Sequence, residues 1–332
     1  MKKQLAIFGP YPPPLGGMSV HTQRLEYFLI EAGIPYVIFN HGFSKNLNVI
    51  PTNKNPLFYI KILFTKKFSL FHFHQIFFFE FLFYLLFSSV NRTPFLITLH
   101  NETLLNCGSF KRNIALFLIK NTKRMRVVSV SENLNEFLLE RKINTIFLPA
   151  YVPPKKISFI ALKKDSRIHF VFSMWKFNKN TANGSYNVPL AFSFLKRNKD
   201  NFKMIFMIGD EKGSDVQYLN ELLTKYEIKG SVLVLYGKNL VDYVQNGSFL
   251  LRTNSADGYG ISLQEAMDLG VPAIATDVCS RPKGTILFRD NDIEDLTNKI
   301  DYIIHANKEE LLKSKEKLTY HLKLIEIYKS NL

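Results

Sequence analysis

The chain has 332 residues and a formal net charge of +15, and its hydrophobic fraction of 46% is that of a folded protein rather than a disordered one. This length predicts two domains, each with a core of its own. The basic balance favours phosphate-rich partners, which are nucleic acid, anionic lipid or nucleotide substrates. The only two cysteines, Cys107 and Cys279, are too far apart in the sequence to indicate a metal clip or a redox pair.

Short apolar strands alternate with helices along the first half of the chain, which predicts a doubly wound parallel sheet. The apolar run at 76–90 predicts a core helix, because it is shorter than the roughly 20 residues that a membrane-spanning helix needs. Glu80 also interrupts this run. The predicted strands are 5–8, 36–40, 70–74, 95–100, 126–130 and 145–148, and the predicted helices are 19–32, 113–122 and 133–141.

A proline-rich break at 149–156 separates this series from a second one and marks a linker. The second series predicts another doubly wound sheet, with a helix over 308–328 at its end. We therefore expect an α/β protein with two Rossmann-like domains facing across a cleft, and ligands at the carboxyl ends of the strands. The predicted strands of the second domain are 169–173, 204–209, 232–236, 249–253 and 273–276.

The most informative stretch is D-G-Y-G-I-S-L-Q-E at 257–265, a Gly-rich turn that opens a helix. The unpaired N–H groups and the positive dipole at a helix N-terminus suit a diphosphate. Asp257 and Glu265 are acceptors suited to sugar hydroxyls. The combination predicts a nucleotide-sugar site, against the alternative of an ordinary turn whose acids only cap and solvate a helix.

Together with G-V-P-A-I-A at 270–275, this turn resembles the E-x7-E motif of retaining glycosyltransferases of family 4, which have the GT-B fold. Asp257 stands where that family usually has Glu. The resemblance implies that Asp257 contacts the donor sugar as the catalytic carboxylate and that Glu265 hydrogen-bonds the nucleotide ribose. It assigns the residues of the turn to donor binding: Gly258, Tyr259, Gly260, Ile261 and Ser262.

The loop after the first strand, P-P-P-L-G-G at 12–17, resembles the opening loop of the same family. Gly16 and Gly17 let the backbone approach a ligand, and their amides precede a helix N-terminus. We expect them to donate to the diphosphate or to the sugar. The alternative is a plain strand–helix turn stiffened by proline.

Histidines mark the ends of two predicted strands. The family often has a histidine near the donor sugar at the position of His100, so we assign His100 to the catalytic site, with a purely structural role as the alternative. His72 and His74 share one face of a strand. Zinc is conceivable there, but the sequence places no further ligand nearby, and we interpret the pair as architecture at the edge of the acceptor site.

Basic residues near the motif are candidates for neutralising the leaving diphosphate. Family members carry Arg and Lys after the first strand of the second domain, where this chain has Lys176 and Lys179. Each of the two lysines also fits a solvated surface residue. Arg252 and Arg281 flank the motif and are the other candidates.

Asp290 and Asp292 imitate a D-x-D metal site, but Asp292 with Asp295 three residues later is typical of a helix cap. We therefore predict no metal and no cofactor. The fingerprint G-x-G-x-x-G of nicotinamide-binding domains is absent from the sequence.

The resemblance implies a cytoplasmic, metal-independent, retaining glycosyltransferase that uses a UDP- or GDP-sugar. Its expected acceptor is a polyprenyl-diphosphate-linked glycan in O-antigen, capsule or exopolysaccharide assembly, with peripheral contact to an anionic membrane. The expected domains are an acceptor domain at 1–152, a donor domain at 153–306, and a terminal helix at 307–332 that crosses back to the first. The alternatives are a GT-B-type sugar-nucleotide epimerase and, more remotely, a basic nucleic-acid-binding protein, although no nucleic-acid module is recognisable.

Overall fold

The computed structural model describes residues 3–332 apart from 14, 41–45, 53–55, 64, 66, 75–92, 101–102, 107, 123, 164, 316 and 318. The helix predicted at 76–90 and Cys107 lie outside the described residues. The chain divides into two compact units. The first comprises Met1–Pro13, Met18–Val152 and Leu318–Leu332, and the second comprises Pro14–Gly17 and Pro153–Lys317.

Within the described residues, the first unit holds a seven-stranded sheet in which every neighbouring pair is parallel. The strand order is β3-β2-β1-β4-β5-β6-β7, so the winding direction reverses between β1 and β4. The strands are β1 Gln4–Phe8, β2 Tyr36–Asn40, β3 Val49–Pro51, β4 Phe68–Phe73, β5 Phe95–Leu99, β6 Met125–Ser129 and β7 Thr145–Phe147.

The second unit repeats this arrangement with a six-stranded parallel sheet in the described part of the chain. The order is β10-β9-β8-β11-β12-β13, and the winding reverses between β8 and β11. The strands are β8 Ile168–Met174, β9 Phe202–Ile208, β10 Val232–Tyr236, β11 Phe249–Arg252, β12 Ala273–Thr276 and β13 Ile286–Phe288.

Helices connect the strands of both units. Among the described residues, no helix has the length and apolar character needed to cross a bilayer. The helices are α1 Gly17–Glu31, α2 Pro56–Leu63, α3 Thr103–Asn106, α4 Ser109–Asn121, α5 Glu132–Glu140, α6 Lys179–Asn183, α7 Val188–Arg197, α8 Val216–Lys225, α9 Ile261–Asp268, α10 Ile293–His305, α11 Lys308–Leu312 and α12 Tyr320–Lys329.

Phenylalanine packing accounts for much of each core. Sheets covered on both faces bury every position of their central strands, which explains the nearly continuous apolar runs in β1 and β4. In the first unit Phe73 stacks on Phe8 with ring centroids 4.6 Å apart. In the second unit Phe170 and Phe249, which face each other on paired strands β8 and β11, stack at 5.4 Å.

The single helix predicted over 308–328 is wrong, because the structure has two helices there, α11 and α12. The described residues between them include Lys313, Ser314, Lys315 and Lys317, which are polar and exposed. In α12 the apolar spacing resumes, and its buried face packs in the first unit. The residues of that face include Tyr320, Leu324, Ile325 and Tyr328.

Candidate functional site

The reversal of strand order in the second unit defines where its candidate site lies. In open α/β sheets, ligands bind beyond the carboxyl ends of the strands at such a reversal. Here the reversal falls between β8 and β11, which are followed by Trp175 and Thr253 respectively. Strand β9, which pairs with β8, ends at the same edge and is followed by Gly209. The D-G-Y-G turn therefore starts at the expected ligand-binding edge.

Buried hydroxyl groups fix the start of this turn. Thr253 is fully buried, and its Oγ1 donates to the carbonyl oxygens of Tyr186 at 2.8 Å or Asn187 at 2.9 Å. Thr276, at the end of β12, donates through Oγ1 to the carbonyl oxygen of Asn254. These bonds tie the backbone that leaves β11 to two neighbouring segments, so the turn has a defined position.

Asp257 forms a salt-bridge cluster with the two arginines that flank the motif. Arg252 donates from Nε and Nη2 to the two carboxylate oxygens at 2.8 and 2.7 Å. Arg281 donates to Oδ2, and the backbone N–H of Gly258 donates to Oδ1 at 2.9 Å. The side chains of Arg252, Asp257 and Arg281 are 12%, 11% and 2% exposed. The carboxylate and both cations thus satisfy one another inside the protein.

Charge balance determines the ionisation of this cluster. Burial on its own would raise the pKa of Asp257, but the guanidinium groups of Arg252 and Arg281 outweigh burial and hold that pKa below its ordinary value. Burial would likewise lower the pKa of Arg252, and the Asp257 carboxylate more than reverses it, so the pKa is raised. Asp257 and Arg252 are therefore both charged at neutral pH.

The turn ends at Gly260, which has a left-handed φ of +77°. This conformation favours glycine, and a Cβ at this position would also lie 2.8 Å from Cδ1 of Leu263. Helix α9 begins at the next residue. Ser262 accepts from Nη1 of Arg252 at 3.1 Å, and Glu265 is buried one turn further along the helix. The predicted donor-binding residues Gly258–Ser262 and Glu265 thus form one continuous turn and helix start.

The second glycine-rich loop reaches the same edge of the second unit. Gly16 packs against the indole of Trp175, since a Cβ there would lie 3.0 Å from Cδ1 of the indole. A Cβ at Gly209 would collide with the carbonyl oxygen of Leu15. Gly16 and Gly17 therefore lie beside the ends of β8 and β9, within the second unit.

Sequence reasoning missed Trp175 and Gly209. The signal for both was their position at a predicted strand end, since Gly209 is the last residue of the predicted strand 204–209 and Trp175 lies two residues beyond 169–173, where a parallel sheet binds its ligands. Trp175 is 48% exposed and is the only tryptophan of the chain.

The four basic candidates differ in their surroundings. Arg252 and Arg281 donate to Asp257, so the structure does not present them as free cations for a diphosphate. Lys176 is half-buried, and its Cε packs beside the backbone of Gly213. Lys179 is exposed and is the first residue of α6. Lys176 is therefore the predicted basic residue best placed at the strand ends.

The predicted helix cap at Asp292 is confirmed. Its Oδ1 accepts from the backbone N–H groups of Glu294 at 3.1 Å and Asp295 at 2.9 Å, at the start of α10. Asp290 accepts from the hydroxyl of Ser255 at 3.2 Å. The two carboxylates of the D-x-D sequence thus have separate structural contacts.

In the first unit, the winding reversal between β1 and β4 brings histidines together. His21 lies in the second turn of α1, His74 directly follows β4, and His100 directly follows β5. Nδ1 of His74 and Nε2 of His100 are 2.8 Å apart. The expectation that no further ligand lies near His72 and His74 is therefore wrong, because the fold joins three elements that are distant in sequence.

The other histidine of this region, His72, is fully bonded to its neighbours. Its Nε2 contacts Thr98 Oγ1 at 2.8 Å, and its Nδ1 contacts the hydroxyl of Tyr328 in α12. Burial lowers the pKa of His72, His74 and His100 well below the ordinary value and that of His21 to about 4. All four rings are therefore neutral at pH 7.

Most of the second unit matches a known protein family. Residues 181–320, which contain the whole of the turn and α9, match the family model of glycosyl transferases group 1. No curated protein matches the chain by sequence.

Solved structures share the fold over nearly the whole chain. Sucrose-phosphate synthase from Thermosynechococcus elongatus has a TM-score of 0.75 at 14% identity, with 99% of each chain covered. Anabaena Alr3699/HepE in complex with UDP-glucose has a TM-score of 0.74 at 12% identity, covering 99% of this chain and 100% of that one. The apo form of the lipopolysaccharide outer core galactosyltransferase WaaB has a TM-score of 0.65 at 15% identity, with 99% of this chain and 100% of that chain covered.

These findings confirm the predicted fold class and the resemblance read from 257–275. Two Rossmann-like units with parallel sheets match the structures of GT-B enzymes, and the family model covers the motif on which the resemblance was based. Residues 181–320 therefore match the group 1 glycosyl transferases, and the chain shares its fold with these structures.

Proposed function

We propose that this enzyme moves a sugar from a UDP- or GDP-sugar to a hydroxyl of a lipid-linked glycan, with retention of the anomeric configuration. The observation that carries the proposal is the turn Gly258–Gly260, which opens α9 beyond the carboxyl end of β11 at the winding reversal. This is the position where α/β sheets bind nucleotides, and it lies inside the family match.

The diphosphate would be held by backbone amides and the positive end of a helix. Ile261 and Ser262 form the first turn of α9, and the glycines of the 16–17 loop supply a second backbone approach. Lys176 adds a positive charge at the end of β8. In this proposal no metal ion bridges the phosphates, and the developing charge of the leaving diphosphate is balanced by these groups.

The two acids of the motif have different proposed roles. Glu265 would accept hydrogen bonds from the ribose hydroxyls. Asp257, whose oxygens already accept from Arg252 and Arg281, would act as a positioning residue that holds the turn in shape. This differs from the direct sugar contact that the resemblance implies for Asp257. The contact of His100 with the donor sugar was implied by the resemblance alone, and we leave it out of the proposal.

A lipid-linked acceptor agrees with the surface of the first unit. Helix α4, S-F-K-R-N-I-A-L-F-L-I-K-N, contains no acidic residue. Phe110 and Phe117, seven positions apart and thus on one face, are 76% and 64% exposed. Lys111 and Lys120 are also exposed. Exposed aromatic rings with nearby cations suit an anionic membrane surface, so we place the enzyme at the inner face of the cell membrane.

The proposed reaction is tested by product analysis. Donors are incubated with the enzyme and with lipid-linked glycans, beginning with UDP-glucose because a structure with the same fold was determined with it. We expect a glycoside with the donor's anomeric configuration in the proton NMR spectrum. An inverted product would contradict retention. An epimerised nucleotide sugar formed without any acceptor would instead support the epimerase.

A further inference from the structure

Three histidine rings in the first unit form a nearly regular triangle. Their ring centroids are 5.0 Å apart for His21 and His74, 4.8 Å for His21 and His100, and 5.0 Å for His74 and His100. One ring nitrogen from each lies within 4.8 Å of the other two. Each histidine comes from a different element at the reversal between β1 and β4.

Two nitrogens of this triangle lack a hydrogen-bond partner. His21 and His74 are 2% and 1% exposed, and the Nε2 atom of each is buried without a partner among the described residues. A buried polar atom left unsatisfied costs about 1–3 kcal/mol, so such atoms call for an explanation. His21 is otherwise anchored, since its Nδ1 lies 3.2 Å from the carbonyl oxygen of Ala150. A carbonyl that receives the Nδ1–H leaves Nε2 as the lone-pair nitrogen of the ring.

The spacing of the rings suits a tetrahedral metal ion. Imidazoles bound to one zinc ion at about 2.0–2.1 Å have ring centroids roughly 5 Å apart. Three nitrogens within 4.8 Å of one another lie at most about 2.8 Å from a common centre, so each needs to move by less than about 1 Å to reach zinc. Binding would replace the 2.8 Å contact between His74 Nδ1 and His100 Nε2, because a nitrogen that binds the ion cannot also accept that hydrogen bond. Side-chain rotation on this scale leaves the backbone unchanged.

We propose that His21, His74 and His100 together bind one divalent transition-metal ion of the zinc class. Imidazole nitrogen suits zinc, copper, iron and nickel, whereas calcium and magnesium prefer oxygen. Within the described residues no carboxylate or thiol joins the three rings, so the fourth tetrahedral position falls to a ligand such as water. The ion would fasten α1 to the carboxyl ends of β4 and β5.

Cobalt titration tests this proposal directly. The purified protein is freed of metal by dialysis against a chelator and titrated with Co²⁺, whose visible absorption is intense in tetrahedral sites and weak in octahedral ones. We expect one equivalent to bind with the intense spectrum and Zn²⁺ to displace it. Zn²⁺ should also raise the thermal unfolding temperature of the metal-free protein.

Single variants assign the ligands. His21→Gln and His74→Gln should each weaken Co²⁺ binding by more than about 100-fold. Removing a metal ligand costs at least as much affinity as removing a residue that hydrogen-bonds to a ligand. His305→Gln, an exposed histidine on α10, is the matched control and should bind as the wild type does. His100→Gln, whose ring is only half-buried, is the third variant, and near-ultraviolet circular dichroism shows which variants fold.

The proposal is overturned if the wild-type protein binds no stoichiometric Co²⁺, gives only the weak octahedral spectrum, or if folded variants bind as tightly as wild type. If none of the three variants folds, the stoichiometry and spectrum of the wild type decide alone. Nucleotide binding by the second unit is measured separately. A protein that binds no metal ion can therefore still have the proposed function, and a protein that binds no nucleotide can still have the metal site.

Discussion

The guanidinium of Arg252 and the carboxylate of Asp257 form a two-point ion pair, with N···O distances of 2.8 and 2.7 Å. Arg281 completes the cluster from the segment after β12, 24 residues along the chain from Asp257. Removing one member of a buried ion pair leaves an uncompensated charge, which costs far more than the pair itself contributes. The shape of the turn Gly258–Gly260 therefore depends on all three side chains.

Replacing Asp257 with Asn should destabilise the second unit. The change keeps the shape of the side chain but leaves Arg252 and Arg281 buried without a counter-charge, so we expect a loss of about 3 kcal/mol in the free energy of unfolding, measured in urea. Asp290→Asn is the control, because Asp290 is exposed, and should change stability by less than about 0.5 kcal/mol. Equal stability of the two variants would show that the cluster contributes nothing.

The same ion pairs predict a pH dependence. Because the pKa of Asp257 is lower in the folded protein than in the unfolded chain, its contribution is complete above about pH 4 and is lost as the pH falls through the folded pKa. The stability difference between wild type and Asp257→Asn should thus be constant from about pH 5 to 7 and shrink below about pH 4. A difference that stays constant down to about pH 3 would be inconsistent with a lowered pKa.

Gly209→Ala should disturb the loop that carries Gly16 and Gly17. Its new methyl group would meet the carbonyl oxygen of Leu15, a backbone atom that cannot move without shifting the loop. We expect a loss of about 2 kcal/mol in stability and weaker nucleotide binding. Gly230→Ala is the matched control, since a Cβ there meets no atom within 4 Å, and it should be neutral or stabilising by up to about 1 kcal/mol. Full nucleotide affinity in Gly209→Ala would remove this loop from the donor site.

The exposed face of α4 should govern membrane binding. The double variant Phe110→Ser with Phe117→Ser should sediment less with anionic vesicles than wild type does, because it lacks the two aromatic rings that would insert into the lipid interface. Salt should release the wild type, because each surface cation contributes about 1 kcal/mol that ions screen. Tyr302→Ser, an aromatic residue of α10 that is 57% exposed, should sediment normally. Identical sedimentation of all three proteins would contradict a docking role for α4.

Alternation of apolar segments was sufficient to predict both Rossmann-like units. The bounds of β2, β10 and β12 agree with the structure, and the other predicted strands differ from it by one or two residues at their ends. The edge strands β3 and β13 were missed. The break between α11 and α12 was missed because lysines are compatible with a helix wherever no apolar face is required.

Side-chain partnerships were the part that sequence could not predict. Arg281 was visible as a basic residue near the motif, but its burial against Asp257 depends on how the segment after β12 returns to the turn. Likewise, His21, His74 and His100 meet only because α1, β4 and β5 adjoin at a winding reversal. Spacing along the chain carries no information about such contacts.

The central claim is that the turn and α9 bind a nucleoside-diphosphate sugar without a metal bridging the phosphates. Calorimetric titration of UDP, GDP and their sugars into the protein, with excess chelator present, tests it most directly. We predict binding of at least one of them, weakened by about 1.5–3 kcal/mol in Glu265→Gln through loss of a charged acceptor for the ribose, and unchanged in Glu221→Gln, an exposed control in α8. No binding by any of them, or equal affinity in both variants, would contradict this account.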